Sequence, residues 1–247
     1  MIERDIQDGI HTLRLAHGKA SALDVELIEA LEHELDLART ARAIVLTGSG
    51  SIFSAGVDLF RVVDGGADYV KRFFPLLADF IRDLFALPIP VVAAANGHAI
   101  AGGAIMVMAS DYKLMARGNG RIGVPELLVG VPFPAAALEV VQYAVPQHVQ
   151  SLAYTGKTLT VDEALAAGMI DEVVDADALT SRAMEVARQL AAIPSDAFRL
   201  AKQQLRAPAL DRADRLGVAI DPAALSCWCS PETHRRIREY LAKTVKK

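Results

Sequence analysis

Two glycine-bearing loops, each just past a short apolar run, constrain this chain more than any other feature in it. The first reads Phe53-Ser54-Ala55-Gly56-Val57-Asp58-Leu59 and follows Ala43-Ile44-Val45-Leu46. The second reads Asn96-Gly97-His98-Ala99-Ile100-Ala101-Gly102-Gly103 and follows Val91-Val92-Ala93-Ala94. Both apolar runs suit buried strands. Glycine just past a strand lets the chain turn tightly and lets a ligand approach the backbone N–H groups. Two such loops brought together offer two donors to one oxygen, which is an oxyanion hole. No evident nucleophile, metal cluster or phosphate loop competes with that reading.

The surrounding pattern alternates strands and helices. Ile10 to Leu15 alternates apolar and polar residues, as a half-buried strand does. Asp24 is placed to cap a helix running to about Ala38, with Val25, Ile28, Leu31 and Leu35 on one face. Ala43 to Thr47 reads as a buried strand. A helix is expected from Asp68 to Ala86, with a kink or break at Pro75. Gly102 to Ala109 is a small-residue apolar helix, buried all round, and Asp111 to Ala116 returns as a strand. This rhythm implies stacked α/β turns. From Ala135 onward the pattern is almost all helical. Short segments at Val161 and Ile170–Val174 precede helices over 177–192, from Pro194 to about Arg206, and over 231–243, while Pro208 to Asp221 is ambiguous. No boundary is evident before about residue 190, so the chain divides into a core, 1–190, and a helical region, 191–247, assigned to oligomerisation or to covering the site.

Charge and composition exclude several classes. With 26 basic and 30 acidic residues the formal charge is −4, which does not favour a nucleic-acid partner. The charged start, Met1-Ile2-Glu3-Arg4-Asp5, lacks the apolar stretch of a signal peptide. No run is long and apolar enough for a membrane span. Cys227 and Cys229 are too close to bridge easily, and they suit a reducing cytoplasm.

With these motifs in order, the chain resembles the crotonase superfamily of enoyl-CoA hydratases and isomerases. The resemblance rests on Phe53–Leu59, on Asn96–Gly103 with Ser110-Asp111-Tyr112, and on Ile122-Gly123-Val124-Pro125-Glu126 with Gly130. Tyr154–Lys157 and Ala164–Val174 extend it across most of the chain. It implies a crotonase-like α/β superhelix of repeated ββα units with a helical C-terminal region. It further implies a homotrimer or homohexamer, and an acyl-CoA thioester as substrate, with no cofactor beyond the coenzyme A that the substrate carries.

Residue by residue, the resemblance places the oxyanion hole at the N–H groups of Val57 and Gly102. Glu126 matches a glutamate that acts as acid or base in the family. The two-glutamate hydratases carry a second glutamate three residues after the oxyanion glycine, where this chain has Ile105. Isoleucine cannot bind or activate water. A single carboxylate fits the branch that moves a double bond from the 3- to the 2-position of an enoyl thioester, and Ala101-Gly102-Gly103 and Pro132-Phe133 also resemble that branch. Ile105, Met106, Val131 and Phe133 are expected to supply apolar walls that raise the pKa of Glu126. Lys19, Ala20 and Ala55 lie where family members wrap the coenzyme A. Hydration of a 2-enoyl thioester, another enolate reaction such as decarboxylation, and non-catalytic acyl-CoA binding are the alternatives.

Other residues invite blander readings. Asp58 and Asp111 suit capping of backbone N–H groups. His98, Asp64 and Asp68 are read as structural or solvated rather than catalytic. The histidines show no metal-ligand spacing. Cys227-Trp228-Cys229 reads as a packing or interface cluster, and Arg235, Arg236, Arg238 and Lys243 as a solvated face that can reach an interface. The segment from Arg61 to Arg72, with Gly65-Gly66, is either an ordered wall or a mobile lid.

Overall fold

The computed structural model describes residues 1–244. A hairpin opens the chain. β1 (Ile2–Gln7) pairs antiparallel with β2 (Ile10–Leu15) across a turn in which Asp8 and Gly9 both take positive φ. α1 (Val25–Leu37) follows, with the Asp24 carboxylate accepting from the Leu27 N–H at 2.8 Å and Val25, Ile28, Leu31 and Leu35 buried. That carboxylate satisfies one of the donors a helix start leaves unpaired.

Three turns of a spiral then succeed one another. The first comprises β3 (Ala43–Thr47), β4 (Ile52–Ser54) and α2 (Leu59–Ala86). The second comprises β5 (Val91–Ala95), β6 (His98–Ile100) and α3 (Gly102–Ala109). The third comprises β7 (Tyr112–Ala116), β8 (Arg121–Gly123) and a single 3₁₀ turn, Glu126–Val129. After α4 (Ala135–Ala144) and α5 (Val149–Thr155) come β9 (Thr158–Thr160), α6 (Val161–Ala166) and β10 (Glu172–Val174). Each spiral turn gives its first strand to a six-stranded sheet, ordered β1-β2-β3-β5-β7-β10, and its second to a four-stranded sheet, ordered β4-β6-β8-β9.

The pairs β2–β3, β3–β5, β5–β7 and β7–β10 are parallel, so β3 and β5 are buried on both faces and every residue in them is inside. Alternation divides their side chains. Ala43, Val45, Val92 and Ala94 face α7 (Leu179–Ala191), while Ile44, Leu46, Val91 and Ala93 join the core with α1, α2 and α3. The small sheet depends on close backbone approach at Gly97. A β-carbon there would lie 1.8 Å from the Ser51 carbonyl oxygen, which instead accepts from the His98 N–H at 3.1 Å.

The helical C-terminal region consists of α8 (Ser195–Trp228) and α9 (Pro231–Thr244). Ala209, Ala213, Ala224, Trp228 and Ile237 enter the same hydrophobic core as the spiral. A buried ionic cluster ties α8 down. Asp111 accepts from the Val91 N–H at 2.8 Å, from Lys202 Nζ at 2.7 Å and from an Arg206 guanidinium nitrogen at 2.7 Å. Lys202 and Arg206 also reach the carbonyls of Ile89 and Phe85. Burial pushes the Lys202 ammonium down to about 8, against the opposing pull of Asp111.

Several expectations change. Pro75 does not break α2; the interruption is at Gly66, the one residue of α2 outside helical geometry, with φ 63° and ψ −158°. The stretch beyond Gly66 is the helix expected to reach Ala86, and a further helical stretch precedes it from Leu59, because Asp58 accepts from the N–H groups of Phe60 and Arg61 and caps it. The segment 61–72 is ordered as two helical stretches that meet at Gly66, with Arg72 paired to Glu29 at 2.6 Å. Pro208 to Asp221 is not a break, since α8 runs 34 residues through Pro208 and Pro222. Each proline removes one N–H from the helix's hydrogen-bond ladder.

Candidate active site

The two glycine loops meet. A β-carbon built on Gly56, at φ 78°, would lie 2.6 Å from Ala101 Cβ and 3.1 Å from the Gly102 nitrogen. Leu23 fixes the first loop. Its N–H donates to the Gly56 carbonyl at 2.7 Å and its carbonyl accepts from the Asp58 N–H at 2.9 Å. In that bridge the N–H of Val57 points away from Leu23. Gly102 is the first residue of α3, so its N–H is one of the unpaired donors of a helix start, where the dipole also favours negative charge. Neither N–H has an acceptor among the described residues.

Glu126 opens the 3₁₀ turn directly after Pro125. It is only 8% exposed, and its Oε2 has no hydrogen-bond partner. Burial pushes its carboxyl up to about 8, opposed weakly by a hydrogen bond from its own backbone. An unpaired carboxyl inside a protein is costly unless it stays protonated or meets a ligand. Val57, Ala101 and Glu126 line one cavity of about 100 Å³. Leu59, Ile100, Val129, Val131, Trp228 and Tyr240 complete most of its wall. The Trp228 indole N–H is already donated to the Pro132 carbonyl at 2.7 Å, which leaves Glu126 and Tyr240 as the lining residues with an uncommitted polar side-chain group.

An outer groove adjoins this cavity. Lys19, Ala20, Ala55, Val57, Leu59 and Phe60 line it, and Ala55, Val57 and Leu59 are common to both. Lys19, Ala20 and Ala55 are thus together at the mouth. Two expected wall residues are elsewhere. Ile105 is 2% exposed and Phe133 8%, and both belong to the hydrophobic core rather than to the cavity lining. α3 is packed on every side, so the residue one turn beyond Gly102 faces the core. Met106 is likewise core, whereas Val131 does line the cavity.

Sequence reasoning missed Trp228 and Tyr240 as walls of the site. Both come from the last two helices, about a hundred residues beyond Glu126, and no local motif links them to it. His98 accepts from the Arg121 N–H at 3.2 Å and holds the small sheet. Asp64 and Asp68 are exposed and line neither cavity nor groove, with Asp68 paired to Lys71. Arg235 and Arg236 pair with Glu232, and Arg238 donates to the Val63 carbonyl. Among the described residues no cluster of side chains is arranged to hold a metal ion.

Two unpaired N–H donors on touching loops, with a protonatable carboxyl in the adjoining cavity, can stabilise an enolate and move a proton to or from it. A sequence model of the enoyl-CoA hydratase/isomerase family matches residues 5–236. The chain belongs to that family. The fold is accordingly the crotonase fold. The structure of a probable enoyl-CoA hydratase, EchA3, from Mycobacterium tuberculosis is similar with a TM-score of 0.85 at 32% identity, covering 91% of this chain and 96% of that one. Human mitochondrial Δ3,Δ2-enoyl-CoA isomerase has the same fold with a TM-score of 0.94 at 21% identity, covering 99% and 98%. A 4-chlorobenzoyl coenzyme A dehalogenase from Arthrobacter is 33% identical over 213 residues, 81% of this chain and 75% of that protein. These crotonase relatives are named for three different reactions, so the choice among reactions falls to this chain's own residues.

Proposed function

We propose that this crotonase isomerises 3-enoyl-CoA to 2-enoyl-CoA thioesters, with Glu126 as the single proton shuttle. The observation that carries the reading is the buried carboxyl of Glu126, the one carboxylate in a mostly apolar cavity that Val57 and Ala101 also line, next to the unpaired N–H groups of Val57 and Gly102.

In this mechanism the thioester oxygen accepts from Val57 and Gly102. Glu126, once ionised, takes a proton from C2, and the C2–H electron pair becomes a dienolate with its charge on that oxygen. Two preorganised donors stabilise the charge without rearrangement. The protonated Glu126 then delivers its proton to C4, the C3–C4 double bond moves to C2–C3, and the carboxylate is regenerated. Atoms balance without water and without a cofactor. The apolar lining serves the reaction twice, raising the basicity of the carboxylate and withholding the water that would add across the product double bond. Ile105 contributes only by absence, since it supplies no second carboxylate.

Hydration of a 2-enoyl thioester is the second reading, favoured by Tyr240, which lines the same cavity and carries a hydroxyl of the kind that holds a water. Incubation with a 3-enoyl-CoA and, separately, a 2-enoyl-CoA distinguishes the two. Isomerisation predicts appearance of the conjugated thioester absorbance at constant mass. A mass gain of one water from the 2-enoyl substrate, with no conversion of the 3-enoyl substrate, would replace this reading with hydration.

A further inference from the structure

We propose that Trp228 sets the acyl-chain length, confining this protein to thioesters of short acyl chains. The inference rests on the acyl-CoA reading of the site. Ala55, Val57 and Leu59 line both the outer groove and the cavity, so the cavity opens to the groove through them. Glu126, Val129, Val131 and Trp228 line the cavity alone, on its inner side.

The inner space is small. The cavity measures about 100 Å³, against the roughly 150 Å³ of an apolar cavity that holds one benzene ring. A thioester whose oxygen meets Val57 and Gly102 brings C2 to C4 beside Glu126, and those atoms use most of that volume. By the same comparison, which allots about 25 Å³ to each of benzene's six carbons, the cavity itself holds about four acyl carbons, and a benzoyl group or a long chain does not fit.

Trp228 is the bulkiest side chain on the inner wall, and it is held from several directions. It is 1% exposed, and its Nε1–H donates to the Pro132 carbonyl at 2.7 Å. Phe74 meets it edge-on at 5.8 Å between ring centres, and Phe73 lies tilted at 6.3 Å. A longer chain would have to break the indole hydrogen bond and displace a ring wedged between α2 and the 130–133 segment. Tyr240, from α9, borders the same cavity but is half-buried, so it is a less rigid barrier.

Equilibrium competition with saturated acyl-CoAs tests this without relying on turnover. The purified protein is titrated with butanoyl-, hexanoyl-, decanoyl- and dodecanoyl-CoA, and so are W228L and W228A. Wild type is expected to bind hexanoyl-CoA at least about tenfold more tightly than dodecanoyl-CoA, the scale on which a pocket rejects added methylenes. Either variant, with folding checked by circular dichroism, is expected to erase or invert that ratio. W228L keeps an apolar filler should W228A fail to fold, and the wild-type profile decides the first point by itself. Dodecanoyl-CoA binding as tightly as hexanoyl-CoA to wild type, or a length ratio unchanged in a folded variant, would overturn the proposal. A short-chain preference without conversion of any 3-enoyl thioester would leave Trp228 in this role and remove the isomerase reading instead. Failure to bind any acyl-CoA would overturn both.

Discussion

Gly56 and Ala101 stand in contact, so that a β-carbon on Gly56 would come within 2.6 Å of Ala101 Cβ. This contact joins the loop that carries Val57 to the loop that carries Gly102, and it exists only because residue 56 has no side chain. Gly56 also holds φ 78°, a conformation that costs any L-residue energy. Gly56→Ala is therefore expected to part the two donors. Loss of one oxyanion donor typically costs ~100- to 1000-fold in rate, and kcat/KM should fall by about that much. Circular dichroism is expected to show the fold retained.

Glu126→Gln should abolish proton transfer while keeping the shape of the cavity. The expected loss in kcat is roughly 100- to 10,000-fold, the value of a positioned acid–base group. Acyl-CoA affinity, measured by titration calorimetry, is expected to change little.

The raised pKa of Glu126 makes two pH predictions. As a base it must be ionised, so kcat/KM should rise with pH toward a midpoint near 8. Stability runs the other way. Below the ordinary carboxyl value of 4.5 the group is protonated in folded and unfolded chains alike. Between 4.5 and about 8 the folded state keeps a proton that the unfolded state releases, so stability falls as pH rises through that window. Chemical denaturation at several pH values should show this fall in the wild type and its absence in Glu126→Gln.

Among the described residues Asp111 is the acidic partner that Lys202 and Arg206 share, and these two are 5% and 4% exposed. Asp111→Ala would strand two buried cations. Breaking such a pair typically costs about 3–5 kcal/mol, and urea denaturation is expected to show a loss on that scale. Lys202 and Arg206 anchor the start of α8, which ends at Trp228, so the same variant should also loosen the inner wall of the cavity.

Much of the spiral was legible because its signals are local. Asp24 marks the start of α1 and the spacing of Val25, Ile28, Leu31 and Leu35 marks its buried face. The glycine loops point to their own meeting place, and the motif around Pro125 points to Glu126. What stayed hidden depends on distant partners. β1, Ile2–Gln7, is almost wholly exposed and charged, and it is a strand only because β2 offers an edge to pair with. α8 buries small residues, Ala209, Ala213 and Ala224, on a face interrupted by two prolines, so it lacks the apolar stripe that would announce one long helix. Ile105 was expected in the cavity because it stands where family hydratases carry a second glutamate, and Phe133 as a wall near Glu126, yet both lie in the core. The walls come instead from Trp228 and Tyr240, brought in by packing that no local pattern encodes.

The central claim is that one sheltered carboxylate carries a proton from C2 to C4. The most direct measurement uses 3-hexenoyl-CoA deuterated at C2, turned over in ordinary water, with the product examined by mass spectrometry and NMR. A single buried Glu126 predicts 2-hexenoyl-CoA that carries deuterium at C4 in a substantial fraction of the first-turnover product. Product with only solvent hydrogen at C4, from the first turnover onward, would contradict a sheltered one-carboxylate shuttle.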